Sequence, residues 1–140
     1  MAAILATVAS KLVGWNTRLP ALPSKRSKPL SAEVLLVLTN CPDEGVADRI
    51  ATALVENRLA ACVNQLPEVE STYRWQGKVE QAVEVPLLIK CTRERYPAVE
   101  EAIRQLHPYT VPEIVAVPVV AGFAPYLRWV DDETRPSLVA

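Results

Sequence analysis

Histidine is almost missing from this chain: His107 stands alone among 140 residues. Within one chain a metal cluster of several imidazoles is thereby excluded, and a nucleophile–imidazole pair has only one residue to draw on. Cysteine is sparse too. Cys41, Cys62 and Cys91 are odd in number and form no C-x-x-C spacing, which excludes a disulfide framework and a zinc ribbon. The default for such thiols is a reducing compartment, hence the cytoplasm. No run approaches the ~18 apolar residues of a membrane span, and the continuous apolar or small stretch Ala2–Ala9 is too short. Acidic residues are absent before Glu33.

That last absence divides the chain. Residues 1–32 carry Lys11, Arg18, Lys25, Arg26 and Lys28 without an acid, together with Pro20, Pro23 and Pro29. This reads as an extended linker or a disordered tail, and its basic, Ser-containing composition is also that of an organelle transit peptide. The remainder holds 10 basic and 16 acidic residues. An acidic domain does not suit nucleic acid, whose binding needs a cationic face. Half the residues are hydrophobic, enough for one folded domain, taken here as 33–136 with a tail at 137–140.

Within that domain Val34–Leu38 is uninterruptedly apolar, as in a strand buried on both faces. Asp43 is placed to cap a helix in which Val46, Ile50 and Leu54 recur at helical spacing to about Leu59. A second strand region starts at Ala61–Leu66, pauses at Pro67 and alternates through Val69, Tyr73 and Trp75. Gln76-Gly77-Lys78 supplies the turn of a long hairpin, which continues through Val83, Val85, Leu87 and Ile89. Keeping both apolar sets on one face places Trp75 opposite Val79 and demands a three-residue loop. Pro86 costs a ladder bond and predicts an edge or a bulge. Tyr96, Val99, Ile103 and Leu106 mark a second helix, with Pro97 in its first turn. Ile114–Val120 is a further strand, and Ala124–Asp131 a short last helix whose apolar residues look for another surface. The order β-α-β-β-α-β is the ferredoxin-like α+β plan: a four-stranded antiparallel sheet with two helices on one face.

The plan alone fixes no function. Five motifs narrow it: Thr39-Asn40-Cys41-Pro42-Asp43-Glu44, Arg58–Asn64, Tyr73–Lys78, Leu106-His107-Pro108-Tyr109 through Val111-Pro112-Glu113-Ile114, and Tyr126-Leu127-Arg128-Trp129. Together, over about Glu33 to Arg135, they resemble the CutA family, named for divalent cation tolerance. The resemblance implies a homotrimer of ferredoxin-like subunits that binds copper(II) or another divalent cation in metal tolerance, with no enzymatic activity. It also implies metal ligands. His107 matches the histidine of the H-P-Y motif, and imidazole suits copper. The family's strand-end cysteine falls on Thr39, so the candidate thiol is Cys41, two residues later. Glu113 is a third candidate, with further ligands supplied across the trimer.

Each residue also has a plainer use. A lone histidine beside proline can close a helix with its ring bonded to carbonyls. Cys62 and Cys91 read as core thiols, Tyr73 and Trp75 as hairpin and interface packing, and Tyr109 as a brace for the turn. Two other functions share the plan: a regulatory trimer sensing a small ligand, by likeness to PII signalling proteins, and a trimeric scaffold that anchors another protein. An RNA-recognition domain would need stacking aromatics on its central strands, and Val34–Leu38 and Ile114–Val120 have none. An acylphosphatase-like hydrolase would need an arginine in an anion-cradling loop, where Cys41–Gly45 offers acids.

Overall fold

The computed structural model describes residues 32–137. The expected N-terminal extension therefore lies outside the described residues, except for Ala32, as does nearly all of the tail.

The elements are β1 (Val34–Cys41), α1 (Glu44–Glu56), β2 (Cys62–Gln65), β3 (Val69–Trp75), β4 (Lys78–Thr92), α2 (Tyr96–Leu106), β5 (Val115–Pro118) and α3 (Ala124–Thr134). The strands run β2-β4-β1-β5, all pairs antiparallel, with β3 paired to the first half of β4. This is the ferredoxin-like order, extended by a hairpin that reaches beyond the four-stranded body.

Local chemistry explains both flanking helices. Asp43 Oδ1 accepts the Val46 N–H at 2.8 Å and satisfies one free donor of the first turn of α1. The helix stops at Glu56 because Asn57 turns its amide onto the Ala53 carbonyl at 2.8 Å and Arg58 takes φ 55°. Pro97 sits in the first turn of α2, where its missing N–H costs nothing. Val46, Ala47, Ile50 and Leu54 of α1 and Val99 and Ile103 of α2 meet one face of the sheet. That face is built from Leu35, Val37 and Cys41 of β1 and Val85, Leu87, Ile89 and Cys91 of β4. Ile50, Leu54, Leu87, Ile89 and Ile103 are fully buried, each contributing about 1.5–3 kcal/mol of transfer free energy. The even-numbered residues of β1 and β4 point the other way, to a face left open except where the last helix packs on Val34.

Pro86 pairs with Asn40 inside β4 without disturbing the β1 register. The irregularity lies on its other side. From Gln65↔Leu87 to Val69↔Glu84 the β2–β3 segment advances four residues while β4 advances three. One extra residue is thus inserted at Leu66-Pro67-Glu68, and Leu66 N–H donates to the Pro86 carbonyl at 2.9 Å. The bulge falls opposite the proline, in the strand that no longer needs its N–H.

The hairpin turn departs from expectation. Trp75 pairs with Lys78, not Val79, around a two-residue loop in which Gln76 (φ 47°) and Gly77 (φ 81°) both adopt left-handed backbone. Two left-handed residues match the twist of a tight hairpin. The inserted residue at 66–68 and the shorter loop act together: β3 turns its odd residues away from the helix side and onto the open face. Val79 and Val83 lie on the opposite face and remain exposed.

β5 is shorter than the apolar run predicts and is an edge strand, with Val115 and Val117 half exposed. The last helix is present and longer than expected. Val130 packs with Val34, Ala61, Val119 and Leu127 in a second small core. The Arg58 guanidinium donates to the carbonyls of Asp132 at 2.7 Å and Arg135 at 3.0 Å, capping the free C-terminal acceptors of α3.

Candidate functional site

The turn after α2 is held to the end of β1 by one histidine. His107 N–H continues the helix to the Ile103 carbonyl at 2.8 Å, and its ring, only 6% exposed as a residue, folds back over the sheet. Nδ1 accepts the Tyr109 N–H at 3.1 Å, and an acceptor nitrogen carries no proton. The proton therefore sits on Nε2, which donates to the Asn40 carbonyl at 2.7 Å. The Tyr109 ring leans on the imidazole with centroids 4.8 Å apart. The plainer use of a lone histidine is thus present in full: both ring nitrogens have a protein partner.

Asn40 joins the other candidate to the same place. Its Nδ2 donates to Glu113 Oε2 at 2.7 Å, so His107 and Glu113 converge on one residue, His107 at its carbonyl and Glu113 at its side chain. Cys41 is adjacent in sequence but not in space to be shared. β1 continues through it, so its thiol points to the helix side while Asn40 points to the open face. Burial, with smaller contributions from Asp43 and Glu84, pushes the Cys41 thiol up to about 11. A thiol held protonated is a poor metal ligand, since coordination needs the thiolate. Thr39, where the family cysteine would stand, faces the same core with a buried hydroxyl that has no partner among the described residues.

No group of three or more His, Cys, Asp or Glu side chains among the described residues is arranged to hold a metal ion. A single chain therefore does not present Cys41, His107 and Glu113 as a copper(II) site. Glu113 can be reached directly; a cation reaching His107 must displace Asn40 or Tyr109; one reaching Cys41 must open the core.

Beside Glu113 the turn and the hairpin enclose a cavity of about 710 Å³. Its walls include Tyr73, Trp75, Tyr109, Glu80, Glu84 and Glu113. Tyr73 pairs with Glu80 across the hairpin, and Val69 with Glu84, so aromatic and acidic residues share the open face. Glu84 is 8% exposed, and no Lys or Arg among the described residues forms a salt bridge with it. The Tyr109 hydroxyl lies beside it; burial first, then that carboxylate, raises the phenol above its ordinary value. Tyr109 thus braces the turn as expected, with Glu84 the neighbour of its hydroxyl. The sequence pattern missed this constellation, and the signal that finds it is Gln76-Gly77 read as a complete two-residue turn.

The same architecture occurs in solved proteins. The structure titled divalent cation tolerance protein (Cut A1) from Thermus thermophilus superposes with TM-score 0.72 at 50% identity, covering 73% of this chain and 99% of that one. CutA1 from Oryza sativa gives TM-score 0.74 at 35% identity, over 78% of this chain and all of that one. By sequence, the divalent-cation tolerance protein CutA of Thermus thermophilus is 52% identical over 99 residues, 71% of this chain and 96% of its own length. Protein CutA of Mus musculus is 45% identical over 113 residues, 81% of this chain but only 64% of the mouse protein. The profile of the family described as CutA1 divalent ion tolerance protein matches residues 35–133. With all five motifs inside that match and with the fold they predict in place, the chain belongs to the CutA1 divalent ion tolerance family.

Proposed function

We propose that this protein serves divalent-cation tolerance as a homotrimer that binds copper(II) or another divalent cation. The observation that carries the reading is the family match over residues 35–133, joined to the convergence of His107 and Glu113 on Asn40. One chain supplies too few donors that converge, so the cation is held where copies meet, with Glu113 as the directly accessible ligand and His107 as the nitrogen donor after its contact to Asn40 or Tyr109 is exchanged. Cys41 joins only if the end of β1 opens. Exposed apolar residues on the hairpin and edge strand, among them Trp75, Val79, Val83, Val115 and Val117, support assembly, since so much exposed apolar surface on neighbouring strands suits a subunit contact.

The test is calorimetric titration of copper(II) into tag-free protein whose mass has been checked, with native mass spectrometry for subunit number. A fixed ratio per subunit that is lost in Glu113→Gln and His107→Ala supports the reading. Identical heats in all three proteins, or none in the wild type, overturn the site. A second reading, a regulatory trimer that senses a small ligand, is favoured by one observation: the cavity of about 710 Å³ between the hairpin and the His107 turn.

A further inference from the structure

We propose that Cys62 and Lys90 form an oxidation-dependent covalent bridge, a sulfenamide between Sγ and Nζ that closes when a hydroperoxide oxidises the thiol. The inference is independent of the metal reading and of the cavity beside Glu113.

The register puts the two groups together. Cys62 of β2 stands directly opposite Lys90 of β4, and residues paired in this way present neighbouring side chains on one face. Lys90 Nζ lies 3.8 Å from Cys62 Sγ and also donates to Asn64 Oδ1, two residues along β2 on the same face. No carboxylate among the described residues forms a salt bridge with Lys90. Its ammonium is thus held over β2 by an amide carbonyl and a sulfur. The pair sits in the four-stranded body, away from the hairpin and from β5. Its cover comes from the same chain. Ala61, next to Cys62, packs with Val130 of α3, and burial first, then the nearby Cys62, raises the Tyr126 phenol above its ordinary value.

The chemistry follows from what the thiol can reach. Cys62 is partly exposed, whereas Cys41 and Cys91 are buried in the core on the other face of the sheet. A small peroxide therefore meets Cys62 first. The sulfur attacks the outer oxygen, the O–O bond breaks, and water or an alcohol leaves with the thiol's proton. Sulfur is oxidised by two electrons to the sulfenic acid, and the peroxide is reduced by two. With both other thiols across the sheet, no disulfide within the chain can resolve this acid. Lys90 Nζ is the nucleophile at hand. After releasing a proton to water, the amine attacks the sulfenic sulfur. An S–N bond forms, the S–O bond breaks, and the hydroxyl leaves as water with a proton from nitrogen. The flexible four-carbon stem lets Nζ close the remaining distance without moving either strand. Edge strand β2 is then tied covalently to β4.

The experiment exposes the full chain to hydrogen peroxide in a chelating buffer, then reads intact mass under denaturing conditions and maps tryptic peptides. A loss of about 2 Da per chain is expected, the two hydrogens that an S–N condensation removes. Trypsin should no longer cut after Lys90, a peptide joining Cys62 to Lys90 should appear, and dithiothreitol should reverse both. Lys90→Arg keeps the cation but has no amine that can lose its proton. It should stop at the sulfenic acid, trapped by dimedone, with no bridge. Cys62→Ser should give neither product. A wild-type thiol that keeps the peroxide oxygen, read as a gain in mass at Cys62, overturns the bridge. So does a 2 Da loss, about the same in size, that persists in Lys90→Arg, or a link that joins two chains. Oxidation of Cys41 or Cys91 ahead of Cys62 overturns it as well.

Discussion

Replacing His107 by alanine removes a ring that makes two hydrogen bonds at once, and the structure allows its cost to be worked out. Tyr109 N–H loses its acceptor and the Asn40 carbonyl loses its donor. An unsatisfied buried group costs about 1–3 kcal/mol. Both contacts are only part-buried, so water can enter and each falls near the lower end. Loss of the packed ring adds about 1–2 kcal/mol. The expected total is about 3–4 kcal/mol. In urea unfolding at fixed protein concentration, which matters for any oligomer, a loss of about 3 kcal/mol with a slope of about 1–3 kcal/mol/M lowers the midpoint by about 1–3 M. His107→Gln is the informative companion. Its amide nitrogen can still donate to the Asn40 carbonyl, while its oxygen cannot also turn back to Tyr109 N–H. It should therefore retain roughly half the stability lost by alanine, about 1–2 kcal/mol. A His107→Ala loss below about 0.5 kcal/mol, in the range of an ordinary surface change, would refute the structural use of the ring. So would glutamine and alanine variants of equal stability, because the Asn40 contact would then contribute nothing.

The thiols should react with a disulfide reagent in a fixed order at neutral pH: Cys62, which is partly exposed, before Cys41 and Cys91, which are buried and pushed up to about 11. Because the folded thiols hold their protons above the ordinary 9.0, the native state binds more protons between those values. Their contribution to stability is therefore complete below pH about 9 and lost as pH rises through about 11, a fall that alkaline unfolding curves of Cys41→Ala and Cys91→Ala should diminish. Arg58→Ala should free the C-terminus of α3 at a cost of about 1–2 kcal/mol, read as faster amide exchange in residues 124–134; unchanged protection there would mean that the two guanidinium–carbonyl bonds do not hold the helix. Gly77→Ala places a side chain at φ 81°, in open space but in a backbone region that L-residues avoid. It should lower stability by about 1–2 kcal/mol; a neutral outcome in thermal unfolding contradicts the two-residue turn.

The elements themselves were legible in the sequence because their causes are local. Asp43 caps α1, Pro97 begins α2, and Val46, Ile50 and Leu54 fall on one helical face whatever surrounds them. Buried β1 announced itself as an apolar run, and the five motifs were enough to place the chain in its family. Register was not local. One residue inserted at Leu66-Pro67-Glu68 and one fewer in the loop at Gln76-Gly77 decide which face Tyr73 and Trp75 occupy, and a period of two turns each such count into a change of side. The alternation of apolar residues put these aromatics with Val79 and Val83, whereas pairing with Lys78 and Glu80 puts them over an acidic cavity. His107, Cys41 and Glu113 show the same division. Their chemistry was visible in their identities, but only the strand continuing through Cys41 sends its thiol into the core. Only the folded turn brings His107 and Glu113 to Asn40, 67 and 73 residues away along the chain.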